Sequence, residues 1–65
     1  MDKITLKAAR TNAGYSQKAA AKELGISNKT LCSWENGKTF PSQPMIEKLC
    51  KLYDRSYDLI KFTAN

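Results

Sequence analysis

Apolar residues recur along this chain at helical spacing, and each run lies between a residue that can start a helix and one that can stop it. The pattern is densest from Ser16 to Gly37. Ser16 caps a run of good helix formers that ends at Gly25, and Ser27 caps a second run that ends at Gly37. The linker is about three residues long, which suits two helices crossing at a steep angle. Ala20, Ala21, Leu24, Ile26, Leu31 and Trp34 are expected to face inward, while Asn28, Lys29, Thr30 and Ser33 form a polar side that no core needs. A small residue at Ala21 lets the two backbones approach near the turn.

The flanking segments obey the same grammar. A first helix is expected over Ile4 to Ala13, with Thr5 as candidate cap, Leu6, Ala9 and Ala13 on one face, and Gly14 as the stop. Tyr15 precedes the Ser16 cap, where an apolar residue packs against the helix it introduces. Lys38 to Pro41 reads as a loop, since the residue before proline is driven from helical geometry. Ser42 restarts a helix that tolerates Pro44 in its first turn and runs to about Tyr53, with Met45, Ile46, Leu49, Leu52 and Tyr53 as its apolar face. Ser56 to Phe62 is expected to be a short fifth helix. Tyr57, Leu59, Ile60 and Phe62 give it more apolar surface than one side can bury, so it either closes the core or forms a dimer surface.

A chain of 65 residues has room for one domain, residues 1–65, with a modest core. Eleven Lys and Arg against six Asp and Glu give a net charge of +5, which favours a polyanionic partner. The excess is uneven. Lys3, Lys7, Arg10, Lys18, Lys22, Lys29 and Lys38 are opposed over the same span only by Glu23 and Glu35, whereas the signs nearly cancel beyond Lys38. Cys32 and Cys50 occur without any histidine, so neither a zinc set nor a Cys-x-x-Cys pair is present. Both are expected to stay as thiols in a reducing cytoplasm, bacterial cytosol or nucleoid, because no signal peptide or membrane-length apolar run is seen. No histidine, glycine-rich phosphate loop or paired carboxylates suggest catalysis, so an enzyme is not expected; nor is a cofactor, metal or small-molecule ligand.

Gln17 opening one helix, Ala21 four residues on, the Gly25-Ile26 turn, Leu31, Trp34, the Glu35-Asn36-Gly37-Lys38 run and Pro41-Ser42 together resemble the phage lambda-repressor-like, Cro/XRE-type helix-turn-helix DNA-binding domains. The resemblance covers nearly the whole chain. It implies an all-α bundle of about five short helices whose third enters the DNA major groove. It also implies an ion pair between Arg10 and Glu35, tying the first helix to the end of the third. The sequence departs from the family at Asp54-Arg55, where a glycine and an apolar residue are usual, on the path to the fifth helix and any dimer surface there.

On this reading Asn28 has the bidentate geometry that reads adenine, Lys29 can donate to guanine, Thr30 offers a methyl or hydroxyl, and Ser33 lies one turn along. Gln17, Ser27, Asn36 and Lys38 are the expected phosphate contacts, and Gln43 is a candidate minor-groove contact. The expected function is a sequence-specific transcriptional regulator of double-stranded DNA, of phage or prophage-repressor type, binding a palindromic operator as a homodimer. Two alternatives stay open: a protein-interaction module such as an antitoxin or anti-repressor on the same fold, and the N-terminal domain of a longer repressor.

Overall fold

The computed structural model describes residues 3–62; the outermost ends of the expected 1–65 domain lie outside the described residues. Among those residues are four α-helices, α1 (Leu6–Asn12), α2 (Gln17–Leu24), α3 (Asn28–Glu35) and α4 (Gln43–Leu52), then a 3-10 turn at Tyr57–Leu59. Two short strands, β1 (Ile4–Thr5) and β2 (Ile60–Lys61), pair in parallel, with Ile4 opposite Ile60 and Thr5 opposite Lys61.

The helix starts are set by hydroxyl caps. Thr5 Oγ1 accepts from the Ala8 amide at 3.1 Å, Ser16 Oγ from Ala19 at 3.0 Å, and Ser27 Oγ from Thr30 at 3.1 Å. Ser42 has the extended cap backbone, but its side chain makes no such bond, and Pro44 in the first turn needs no N–H partner. The expected start of α1 at Ile4 moves to Leu6 for the same reason: Thr5, as cap, is itself extended (ψ 160), so Ile4 and Thr5 are free to form a strand. Ala13 falls beyond the last turn and is exposed, not on the core face.

All four helices stop in one way. Gly14, Gly25, Gly37 and Asp54 adopt left-handed backbone, and the amide of the next residue reaches back to Arg10, Ala21, Ser33 and Cys50 carbonyls respectively, at 3.0–3.2 Å. Asp54, at φ 51, thus occupies the left-handed position that glycine fills elsewhere, and the turn out of α4 is made despite the departure from the family pattern. The segment beyond Asp54 is not an α-helix. Ser56 leads into one 3-10 turn, and Ile60 then extends to pair with Ile4.

The four helices and β2 contribute to one core: Leu6 and Ala9 from α1, Ala20, Ala21 and Leu24 from α2, Leu31 and Trp34 from α3, Leu49 from α4 with Tyr53 at its end, and Ile60 from β2. Leu31 is fully buried, a burial that contributes about 1.5–3 kcal/mol. Ala20 and Ala21 are also buried, and their small side chains let α2 and α3 pack closely. Tyr15, Ile26, Met45 and Leu52 pack at its edge, while Ile46, expected on the core side, instead lines an open groove beside α4. In the last segment Ile60 is buried, Leu59 and Phe62 are half-buried, and Tyr57 is exposed and stacked on Phe62.

The shared stop gives a prediction of opposite sign at two positions. Gly25→Ala should lower unfolding free energy by about 1 kcal/mol, because a Cβ is strained at φ 74. Asp54→Gly should raise it by up to about 1 kcal/mol by relieving the same strain, less the added freedom of the unfolded chain. Urea unfolding of both variants checks this; equal losses would mean that the two stops are not equivalent.

Candidate nucleic-acid interface

Capping by Ser27 fixes where α3 begins, and burial of Leu31 and Trp34 fixes its rotation. Asn28 and Lys29 are consequently exposed, and Ser33 is half-buried one turn on. These three line a concave surface together with Gln17 from the start of α2, Cys32, and Asn36 and Lys38 from the exit of α3. Ser27 and Thr30 are not drawn into it. Their hydroxyls bond to each other at 2.8 Å, and Thr30 sits at the flank of the helix, half-buried. Gln43 also lies elsewhere, beside Pro44, Ile46, Glu47 and Tyr57 in the groove along α4.

Two further residues escape a reading of the sequence. Cys32 lies on the concave face, and Asn36 Nδ2 donates to its Sγ at 3.3 Å. Its spacing of four from Asn28 and from Asn36 is the signal that could have found it. Thr39, in the loop after α3, shares a hydrogen bond of 2.9 Å with the Ser33 hydroxyl, a loop-to-helix contact that no periodicity marks. Cys32 and Cys50 are free thiols on different surfaces, and burial pushes the Cys50 thiol up from its ordinary range.

Below the face lies the ion pair. Arg10 Nε donates to Glu35 Oε2 at 2.7 Å and Nη2 to Oε1 at 3.4 Å, while Nη1 donates to the Tyr15 carbonyl at 2.9 Å. Gln17 Nε2 donates to Glu35 Oε1 at 3.1 Å. The pair is withdrawn from water, with side-chain exposures of 10% for Arg10 and 4% for Glu35. Glu35 therefore presents a neutralised charge next to a surface where Lys29 and Lys38 are exposed. Tyr53 packs near this cluster, its ring 6.2 Å from that of Tyr15, and its buried hydroxyl has no partner among the described residues. Burial, reinforced by the Glu35 carboxylate, pushes its phenol up to about 12.

With this arrangement the surface offers amide, hydroxyl and ammonium donors on a convex helix with a shallow hollow along it, a chemistry suited to phosphates and base edges. No group of three or more His, Cys, Asp and Glu side chains that could hold a metal occurs among the described residues, and no helix there is long and apolar enough to cross a membrane.

Comparison with known proteins agrees with the geometry. A family model described as helix-turn-helix matches residues 6–60. The HTH-type transcriptional regulator ImmR of Bacillus subtilis (strain 168) is 42% identical over 55 residues, which are 85% of this chain and 43% of that protein. The chain thus spans less than half the length of that relative. No solved structure matches.

The buried cluster generates two expected outcomes. Removing either partner alone, by Arg10→Met or Glu35→Leu, strands a buried charge and should cost about 3–5 kcal/mol, whereas the double variant should lose clearly less than the sum. Urea melts decide; small additive losses would show that the charges do not interact. The second outcome concerns pH. Because Tyr53 titrates at about 12 in the fold against about 10 in an unfolded chain, its contribution is intact below about pH 10. It is lost as pH rises toward 12, by on the order of 2 kcal/mol. Tyr53→Phe should lose less stability than the parent over that window, measured by melts at stepped pH; identical slopes would contradict the assignment.

Proposed function

The chain belongs to the helix-turn-helix family, of Cro/C1 type, and from that premise we propose that it is a sequence-specific DNA-binding transcriptional regulator. The observation that carries the reading is the gathering of Gln17, Asn28, Lys29, Ser33, Asn36 and Lys38 on one concave face of α3, in the half of the chain that holds the excess positive charge. The relative's name, a transcriptional regulator, supports the same reading.

On this reading α3 lies in the major groove. Asn28 and Lys29, at its exposed N-terminal turn, contact base edges, and Ser33 does so one turn on. The bond between the Ser27 and Thr30 hydroxyls makes both act first at the cap, which leaves Thr30 its methyl and the remaining capacity of its hydroxyl for a base. Gln17, Asn36 and Lys38 hold the phosphates that set register, and Gln43 approaches the backbone or minor groove from α4. A recognition helix of eight residues reads only a few base pairs, too few to pick one site from a genome. The protein therefore acts as a two-fold dimer on a palindromic operator, with half-sites centred about one helical turn, ~10 bp, apart. The apolar groove along α4 and the stacked Tyr57–Phe62 pair are the surface available for that dimer. Occupying the operator excludes polymerase, as in a phage-type repressor.

The test is selection from a randomised duplex pool with the parent and three variants. Asn28→Ala and Lys29→Ala should change the preferred base at ~1–3 kcal/mol each, while Lys38→Ala should weaken all sequences alike. With ~4–8 phosphates neutralised per dimer, affinity should fall roughly 100- to 10,000-fold between ~50 and ~200 mM salt. Binding that ignores salt, or unchanged selection by the Asn28 and Lys29 variants, would favour a protein-interaction module instead.

A further inference from the structure

Gln17 stands at the edge of the concave face, and Glu35 lies beneath it with its side chain 4% exposed. The carboxylate accepts from three donors: Arg10 Nε, Arg10 Nη2 and Gln17 Nε2. An ionised carboxylate can only accept, so Gln17 must turn its NH2 group inward and cannot present Oε1 there. One of its two N–H groups is then held by Glu35, and the other remains for the outer face. Glu35 itself cannot follow a moving amide, because Arg10 is anchored at its far side to the Tyr15 carbonyl at 2.9 Å.

We propose that Glu35 is a positioning residue for DNA-backbone recognition: through its bond to Gln17 it fixes the amide orientation that leaves one N–H free for a phosphate oxygen. The inference rests on the reading of this face as a DNA site. The physical gain is preorganisation. A free glutamine samples several rotamers and both amide flips, and ordering it at the moment of binding would weaken the contact; here the ordering has already occurred on folding. The Arg10–Glu35 pair thereby links the stability of the fold to the affinity of its surface.

A purely structural role for Glu35 predicts something different, and a double-mutant cycle separates the two. Affinities of the parent, Q17A, E35Q and the double variant are measured on a short duplex selected from a randomised pool, at a temperature where circular dichroism shows each folded. Q17A should weaken binding about 10- to 150-fold, the worth of one hydrogen bond to a charged group. E35Q should cause a comparable loss in the parent and less than a twofold further loss once Gln17 is gone. Equal effects of E35Q with and without Gln17 would overturn the proposal while leaving DNA binding intact, whereas a parent that binds no duplex would overturn the DNA reading as well. If E35Q does not fold, the parent suffices. By NMR, the Gln17 side-chain amide protons should exchange with water more slowly than those of exposed Gln43, and equal exchange would refute the positioning.

Discussion

A carboxylate buried beneath the end of α3 is the constraint around which the other elements arrange themselves. Withdrawing Glu35 from water is tolerable only because an arginine from α1 meets it with two N–H groups and a glutamine from α2 supplies a third. The cluster thus draws on three different helices, and the remaining end of Arg10 ties in the turn at Tyr15. Hydrophobic burial gathers the helices, but it is nondirectional and tolerates sliding. The ion pair does not, because its bonds are directional and a stranded charge is costly. Its position at the junction of α1, α2 and α3 therefore fixes how the helix-turn-helix is held on the remainder of the fold.

Local rules supply the rest of the geometry. A hydroxyl cap begins each of the first three helices, and a left-handed residue ends all four among the described residues. Short helices between fixed ends have little freedom of register, so the side chains on the outside of α3 point where the burial of Leu31 and Trp34 sends them. The polar face is in this sense a by-product of the core. What the core does not specify is the detailed state of each polar group, and here neighbouring bonds intervene: Ser27 with Thr30, Ser33 with Thr39, Asn36 with Cys32, and Gln17 with Glu35.

The α2–α3 unit, its caps and stops, and the buried series from Ala20 to Trp34 were legible in the sequence because they depend on local signals: a serine, a helical period, a glycine. The exposed and half-buried residues Asn28, Lys29 and Ser33 were legible by the same periodicity. The paired strands were not. Two residues each carry no readable period, and their pairing joins Ile4 to Ile60, far apart in the chain. The same long-range pairing converts the tail of the expected fifth helix into a strand. Thr30 belongs to the polar face by its character, although its angle on α3 carries it to the flank. Asp54 looks in the sequence like a break with the family pattern, yet it adopts the conformation of the glycine it replaces. The contact between Gln17 and Glu35 was equally invisible, since it depends on how α2 and α3 meet in space.

The central claim, that the concave face of α3 is the surface that meets DNA, is tested most directly by titrating the isotope-labelled chain with a duplex and following every amide resonance. Shifts are expected to concentrate at Gln17, Asn28, Lys29, Ser33, Asn36 and Lys38. Shifts confined to the groove along α4, around Ile46, Glu47 and Tyr57, with α3 unperturbed, would contradict the claim.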